Sequence, residues 1–275
     1  MNTTFRDAAD TAADPGPDGA VPPLPVVAAV IPMLNEEGAV ADLLAGCAEH
    51  LAGLGAFEIC IVNDGSTDGT AAALEAFRDE NPDVSVTIVT HPSPAGQSAS
   101  VHAGVRASRA PIICTLDGDG QNPPSELPKL LAPIMDPDAD PELGLVAGQR
   151  VKRQDTISKR LASRAANAIR RTLLKDGTRD TGCGLKAFRR DAFLELPFFN
   201  HMHRYLPALF LRDGWKIDHV EVAHAERTSG TSKYTNLSRA IVGATDLLGV
   251  AWLVKRKRRT ARGAAEISYG WEDRS

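Results

Sequence analysis

The chain has 275 residues, 43% hydrophobic and 24% charged, with a formal net charge of −4. That length and apolar content support one sizeable core with at most a small appendage. The acidic balance argues against a general nucleic-acid binder, and the scattered Cys47, Cys60, Cys114 and Cys183, with no CxxC pair, argue against a disulfide or zinc framework. Cys60 and Cys114 sit in apolar runs and read as small core residues in a reducing compartment. Residues 1–24, rich in Ala, Asp, Pro, Thr and Gly, lack the continuous apolar region of a secretory signal. Such a segment buries too little to offset its chain entropy and is expected to be a disordered leader. No run of about 20 apolar residues occurs, so no transmembrane helix is expected.

Ordered patterning starts near Pro25. Residues 26–31 form a short Val/Ile-rich run bounded by prolines and predict a buried strand. Val40, Leu43, Leu44, Cys47, Leu51 and Leu54 recur every three or four positions and give a helix one apolar face. A second strand is expected over 57–62, then a helix capped by Ser66 or Asp68 and running to about 80. Residues 84–90 predict a strand, 96–108 a helix, 111–116 a strand, 124–135 a helix and 143–147 a fifth strand. Strands alternating with helices imply right-handed crossovers, hence an α/β fold with a mostly parallel central sheet flanked by helices.

In such sheets ligands sit beyond the carboxyl ends of the strands. The segments there are 32–37, 63–68, 91–97, 117–121 and 148–150, all rich in polar groups. A dinucleotide-binding turn needs GxGxxG after the first strand; IPMLNEEG stands there instead. Asp64 follows the second strand and is placed to accept hydrogen bonds from a ribose or base, whereas Asp68 suits turn formation and capping. In LDGDGQNPP, Asp117 and Asp119 lie two residues apart after a buried strand and can converge on one hard cation. Gly118 and Gly120 let the backbone approach, and Gln121 adds a neutral oxygen. Magnesium or manganese takes such oxygen ligands and completes its shell with phosphate and water. An acidic turn is the plainer alternative.

The segments VIPMLNEEGAV, IVNDGSTDGT, LDGDGQNPP, GQR at 148–150, DTGCGLKAFRR and RTSGTSKY resemble the family 2 glycosyltransferases of GT-A fold, and most of all the dolichyl- or polyprenyl-phosphate glycosyl synthases. The likeness covers about residues 26–235, with six motifs in order. It implies an inverting enzyme that moves a sugar from a nucleotide-diphosphate donor to a polyprenyl phosphate. It places Pro32, Leu34, Glu36, Val62 and Asp64 at the nucleoside, and Asp117, Gly118, Asp119 and Gln121 at the metal and diphosphate. Leu34 stands where the family often has an aromatic, and Asn63 where it has a first Asp. Arg150, Arg227 and Lys233 are the cations expected to meet developing phosphate charge. The loop 227–234, with Ser229 and Ser232, is expected to reach the donor diphosphate and the acceptor phosphate. A lipid monophosphate is already an anionic nucleophile, so no strong base is required; for a hydroxyl acceptor, Asp180 is the first suspect.

His201, Met202, His203 and Arg204 form another polar cluster. Two histidines two residues apart suit a strand-based metal site, or structural positions near the acceptor side. Phe188, Phe193, Phe198 and Phe199 are expected in the core. The basic stretch 152–164 fits either a solvated face or attraction of an anionic acceptor or membrane. Residues 237–254 are largely apolar, interrupted by Arg239, Gly243, Asp246 and Gly249, and KRKRR follows at 255–259. About 15 apolar residues around Asp246 are short for a bilayer, so an interfacial helix with a basic end is expected, with packing on the domain or on a small membrane protein as alternatives. The organisation expected is a leader over 1–24, a catalytic domain over 25–235, an amphipathic helix over 236–260 and a polar tail over 261–275, in a protein held peripherally at the cytoplasmic membrane face.

Overall fold

The structure is a computed structural model that describes residues 23–150, 170, 172–180, 182–223 and 236–256, the last segment by backbone alone up to 241. The expectations for residues 1–22, 152–164, 227–234 and 257–275 lie outside the described residues.

Seven strands form one sheet: β1 (Val27–Met33), β2 (Phe57–Asn63), β3 (Val86–Thr90), β4 (Ile112–Thr115), β5 (Leu143–Arg150), β6 (Lys186–Arg189) and β7 (Lys216–Val222). Their order is β3-β2-β1-β4-β6-β5-β7. β1 pairs in parallel with β2 and β4, β2 with β3, and β5 with β7. β6 runs antiparallel to both β4 and β5, so it is the one reversed strand in the sheet. The helices are α1 (Val40–Leu51), α2 (Thr70–Glu80), α3 (Gln97–Ala107), α4 (Leu127–Met135), α5 (Arg190–Leu194), α6 (Leu206–Arg212) and α7 (Asn236–Lys255).

The period-two geometry of the strands explains the core. Along β1, Val27, Ala29, Ile31 and Met33 face one apolar cluster with Leu44 and Leu51 of α1 and Leu127, Leu130 and Leu131 of α4. Ala28 and Val30 face a second cluster with Val101 and Val105 of α3, Phe188 of β6 and Phe210 of α6. Both faces are covered, which is why these strands read as continuous apolar runs. Phe188 and Phe193 are fully buried and stacked with centroids 4.9 Å apart. Phe199 packs at the margin of this cluster. Phe198, expected inside, is 49% exposed and leans on His102.

The five strands and four helices expected up to residue 150 are present, most ends moved by one or two residues; β5 runs three residues further, and three-residue 3-10 turns follow α1 (Ala52–Leu54) and precede α4 (Pro124–Glu126). β6, α5, α6 and β7 were not anticipated. All four cysteines are free and buried, Cys60 and Cys114 among them as their apolar runs implied.

α7 is joined to the domain through its polar stripe. Asp246 Oδ2 meets His201 Nδ1 at 2.9 Å, the Tyr205 hydroxyl donates to the Gly243 carbonyl at 3.3 Å, and Arg212 Nε donates to the Leu253 carbonyl at 3.1 Å. Val250 and Ala251 are buried in the second cluster. Val242, Leu248 and Trp252 are left facing outward, Trp252 58% exposed with the Arg256 guanidinium 5.0 Å from its ring centroid. The helix therefore packs on the domain while keeping an outward apolar stripe. No helix among the described residues is long and apolar enough to cross a membrane.

Candidate active site

The loops after β1, β2, β3 and β4 meet at the carboxyl edge of the sheet. The first two brace each other. Asn35, in the left-handed region at φ 57°, accepts the Thr67 N–H at 2.8 Å and gives its own N–H to Ser66 Oγ. Glu37 Oε2 accepts the Gly69 N–H at 2.7 Å, and the Glu36 N–H goes to Thr70 Oγ1. Asp68 accepts from the Thr70 N–H and hydroxyl in a turn that leads into α2, whose N-cap position is Gly69. Leu34 stands exposed on the rim of this pair of loops.

Asp64 is buried, and its oxygens are met from within the protein. Oδ1 is 2.7 Å from His91 Nδ1 and accepts the Ala95 N–H at 2.8 Å; Oδ2 accepts the Gly96 N–H at 2.8 Å. Burial alone would raise its pKa, but the hydrogen bonds from His91, Ala95, Gly96 and Ser100 outweigh it and hold the carboxyl below its ordinary value. Asp64 thus fixes the loop after β3, and any ligand contact is additional to that work. Val62, expected at the nucleoside, has a fully buried side chain directed at the position a Cβ would take on Gly104 of α3. Strand alternation sends it into the sheet's core face, not toward the edge.

The loop after β4 carries the paired carboxylates. Asp117 Oδ1 accepts the Gln97 side-chain N–H at 2.7 Å and Oδ2 that of Asn122 at 3.0 Å. Two glycines make room for it. A Cβ on Gly184 would lie 2.2 Å from Asp117 Oδ2, and one on Gly118 would lie 2.7 Å from the Pro32 carbonyl oxygen, so neither position accepts a side chain without displacing the loop. Asp119 Oδ1 accepts the Gln121 N–H at 3.2 Å, which turns the loop back. The Asp117 pKa is raised, first by burial and further by the Asp119 charge, against the opposing charge of Lys186.

Two like charges this close repel, and a divalent cation would relieve both. Asp117 uses two of its roughly four lone-pair positions and Asp119 one, by these hydrogen bonds. Among the described residues no three His, Cys, Asp or Glu side chains gather into a metal cage. A site of two carboxylates completed by phosphate and water suits Mg²⁺ or Mn²⁺; the donor set fits. Gln121 contributes its backbone to the Asp119 turn, and its side-chain oxygen remains the third ligand only as an expectation.

Beyond Asp117 lies a cavity of about 340 Å³ whose wall includes Pro32, Gln97, Arg179, Asp180, Lys186 and Arg204. Arg150 and Asp180, anticipated as separate actors, are partners: Nε to Oδ2 at 2.5 Å and Nη2 to Oδ1 at 2.9 Å, both side chains largely buried. Lys186 of β6 is buried and donates to the Cys183 carbonyl. Burial lowers its pKa, while Cys183, Asp117 and Asp180 pull the other way. Sequence reasoning missed Lys186, Gln97 and Asn122. The only signals were their places in the DTGCGLKAFRR, strand-end 91–97 and DGDGQN segments. Arg227, Lys233, Ser229 and Ser232 lie outside the described residues.

Known proteins share this layout. A glucosyl-3-phosphoglycerate synthase from Mycobacterium tuberculosis, solved in complex with Mg²⁺ and uridine diphosphate, superposes with a TM-score of 0.61 at 18% identity, over 87% of this chain and 82% of that one. The mostly parallel, helix-flanked sheet is thus the GT-A architecture. An undecaprenyl-phosphate 4-deoxy-4-formamido-L-arabinose transferase of Pseudomonas aeruginosa is 34% identical over 78% of this chain, which spans 61% of that protein's length. A dodecaprenyl-phosphate galacturonate synthase of Rhizobium johnstonii is 29% identical over 88% of this chain and 71% of its own. The model of Glycosyl transferase family 2 matches residues 28–196, and the chain belongs to that family.

Proposed function

We propose that the protein transfers a sugar from a nucleotide-diphosphate donor to a polyprenyl phosphate, with inversion at the anomeric carbon, at the cytoplasmic membrane face. The observation that carries this reading is Asp117, held at the end of β4 by Gln97 and Asn122 and opening onto a cavity with cationic walls, with Asp119 two residues on in the same loop. The P. aeruginosa and R. johnstonii relatives bear polyprenyl-phosphate names, which supports the acceptor class.

The braced loops after β1 and β2 form the nucleoside side, with Pro32, Leu34 and Glu36, and Asp64 sets the loop after β3 against them. A bound Mg²⁺ or Mn²⁺, held by Asp117 and Asp119 with Gln121 as third ligand, would neutralise the departing diphosphate. Lys186, beside Asp117, opposes the rise in the Asp117 pKa that burial causes. Arg150 sits behind the cavity and fixes its wall residue Asp180 through both oxygens, and Arg150, Arg227 and Lys233 are the further cations implied by resemblance. The outward stripe of α7 with its basic end is proposed to lie against an anionic lipid surface.

A hydroxyl acceptor would need a base. Asp180 is the cavity carboxylate available, but a guanidinium holding both its oxygens makes it a weak one, so the phosphate acceptor is preferred. The test is a screen of GDP- and UDP-sugars with short-chain prenyl phosphates and Mn²⁺ or Mg²⁺, repeated with Asp119→Ala. A lipid-linked sugar formed only by the unaltered protein supports the reading. Nucleotide binding without metal that survives Asp119→Ala, or transfer confined to hydroxyl acceptors, defeats it.

A further inference from the structure

We infer that Arg204 and His203 form the seat for the acceptor's phosphate, on the wall of the cavity supplied by the turn before α6. This rests on the polyprenyl-phosphate reading above and adds to it the residues that select an anionic acceptor.

The turn is unusually well fixed. His201 adopts φ 67°, in the left-handed region that a non-glycine residue enters at a cost, and starts a 3-10 turn over Met202–Arg204. Three anchors hold it there: Met202 is buried, His201 meets Asp246 of α7, and Tyr205 bonds the Gly243 carbonyl. The fourth anchor is Ser98 in the first turn of α3. Its Oγ accepts the His203 N–H at 3.3 Å and lies 2.7 Å from His203 Nδ1. A Ser98 hydroxyl donating to Nδ1 leaves the imidazole proton on Nε2 and makes the ring a neutral donor, the tautomer this seat requires. Burial, with the charges of Lys186, Arg204 and His201, lowers the His203 pKa to about 3, so the neutral form persists.

The other cations that line the cavity or stand behind its wall are engaged. Arg150 is forked onto Asp180, Arg179 donates to Gln149 and faces Glu221, and Lys186 donates to the Cys183 carbonyl. Arg204 lines the cavity and is exposed, and its side chain makes no hydrogen bond or ion pair among the described residues. An in-line displacement puts the nucleophile opposite the leaving diphosphate. The anion of the acceptor therefore belongs on a wall away from the paired carboxylates, and a guanidinium matches a phosphate through two parallel hydrogen bonds.

The test is calorimetry of the full chain with farnesyl phosphate in the presence of UDP and Mn²⁺, with farnesol as the uncharged control. Arg204→Ala is expected to weaken farnesyl phosphate binding at least tenfold and to leave UDP–Mn²⁺ binding within about twofold. Arg204→Lys should retain part of the affinity, as a point charge without the fork, and His203→Gln should lose a few-fold. Arg204 is exposed, and circular dichroism of the lysine variant checks folding. Equal farnesyl phosphate binding by the unaltered protein and Arg204→Ala overturns the seat alone. A parallel loss of UDP–Mn²⁺ affinity also overturns it, by assigning Arg204 to the donor. No binding of farnesyl phosphate by the unaltered protein removes the acceptor class itself, and the seat with it.

Discussion

The side-chain amide of Gln97 donates to Asp117 Oδ1 at 2.7 Å, tying the first turn of α3 to the loop after β4. The same α3 turn holds His203 through Ser98, so one helix start fixes both Asp117 and His203 in the cavity wall. Groups that orient a metal ligand typically change metal affinity 10- to 100-fold when removed. Gln97→Ala is therefore expected to weaken Mn²⁺ binding, measured with UDP present, by about tenfold. Asn122→Ala should lose more than this, because Asn122 is buried and its loss opens a gap behind Asp117. Unchanged Mn²⁺ affinity in both variants would detach Asp117 from the metal.

The Arg150–Asp180 pair separates two accounts of the chemistry. Its side chains are only 13% and 12% exposed, so removing one partner strands a charge. Arg150→Ala and Asp180→Ala should each lower unfolding free energy by about 1–3 kcal/mol, and the double variant by less than their sum. Asp180→Asn keeps a hydrogen-bonding oxygen for the guanidinium. If Asp180 only orients Arg150, this variant should retain kcat within about tenfold and keep its pH profile; a general base would lose 100-fold or more, with the loss of a titrating limb.

The first 150 residues were legible because β1 to β5 are buried apolar runs separated by helices with regular apolar spacing. The second half was not, for reasons that lie in particular residues. β6 is the four-residue Lys186–Arg189, charged at both ends, and its Lys186 is buried only because Asp117, Asp180 and the Cys183 carbonyl surround it. β7 lies at the sheet edge with one polar side, and Lys216 there reaches Asp140 and Glu142. Asp117 and Asp119 could be found from spacing and strand position. The Arg150–Asp180 pair could not, since 30 residues separate them and only the sheet order brings the end of β5 beside the segment leading to β6. The small and polar stripe of α7 was visible, but its direction was not: Gly243 and Asp246 face the domain because Tyr205 and His201 wait there.

His203 and Asp64 should each contribute to acid destabilisation, in separable pH ranges. His203 has its pKa lowered to about 3, mainly by burial, against about 6.5 when unfolded. The unfolded chain therefore binds the extra proton between those values, and stability is complete above pH 6.5 and falls as pH drops toward 3. Asp64, held below its ordinary value, adds stability that is complete above its unfolded pKa near 4 and disappears only as pH falls through its folded one. His203→Gln should flatten the pH dependence of unfolding free energy between about pH 6.5 and 4, by at most about 1.4 kcal/mol per pH unit. Asp64→Asn should leave that region unchanged and reduce stability at neutral pH. Identical slopes in the unaltered protein and His203→Gln would mean that His203 is charged when folded.

The outward stripe of α7 gives a last prediction, independent of catalysis. Trp252, Leu248 and Val242 are exposed on the face away from the domain, with Lys255 and Arg256 at the end of the stripe. A tryptophan with a cation beside it suits the boundary between headgroups and acyl chains, and each basic residue near anionic lipid contributes about 1 kcal/mol. Flotation with vesicles containing phosphatidylglycerol should recover the unaltered protein and recover Trp252→Ala severalfold less. Lys255→Ala combined with Arg256→Ala should make the remaining binding less dependent on salt, because the screened part is lost first. Since Val250 and Ala251 hold the helix to the domain, these exposed substitutions should not shift the unfolding midpoint. Equal recovery with neutral and anionic vesicles, or no change on removing Trp252, would leave the stripe to a protein partner instead.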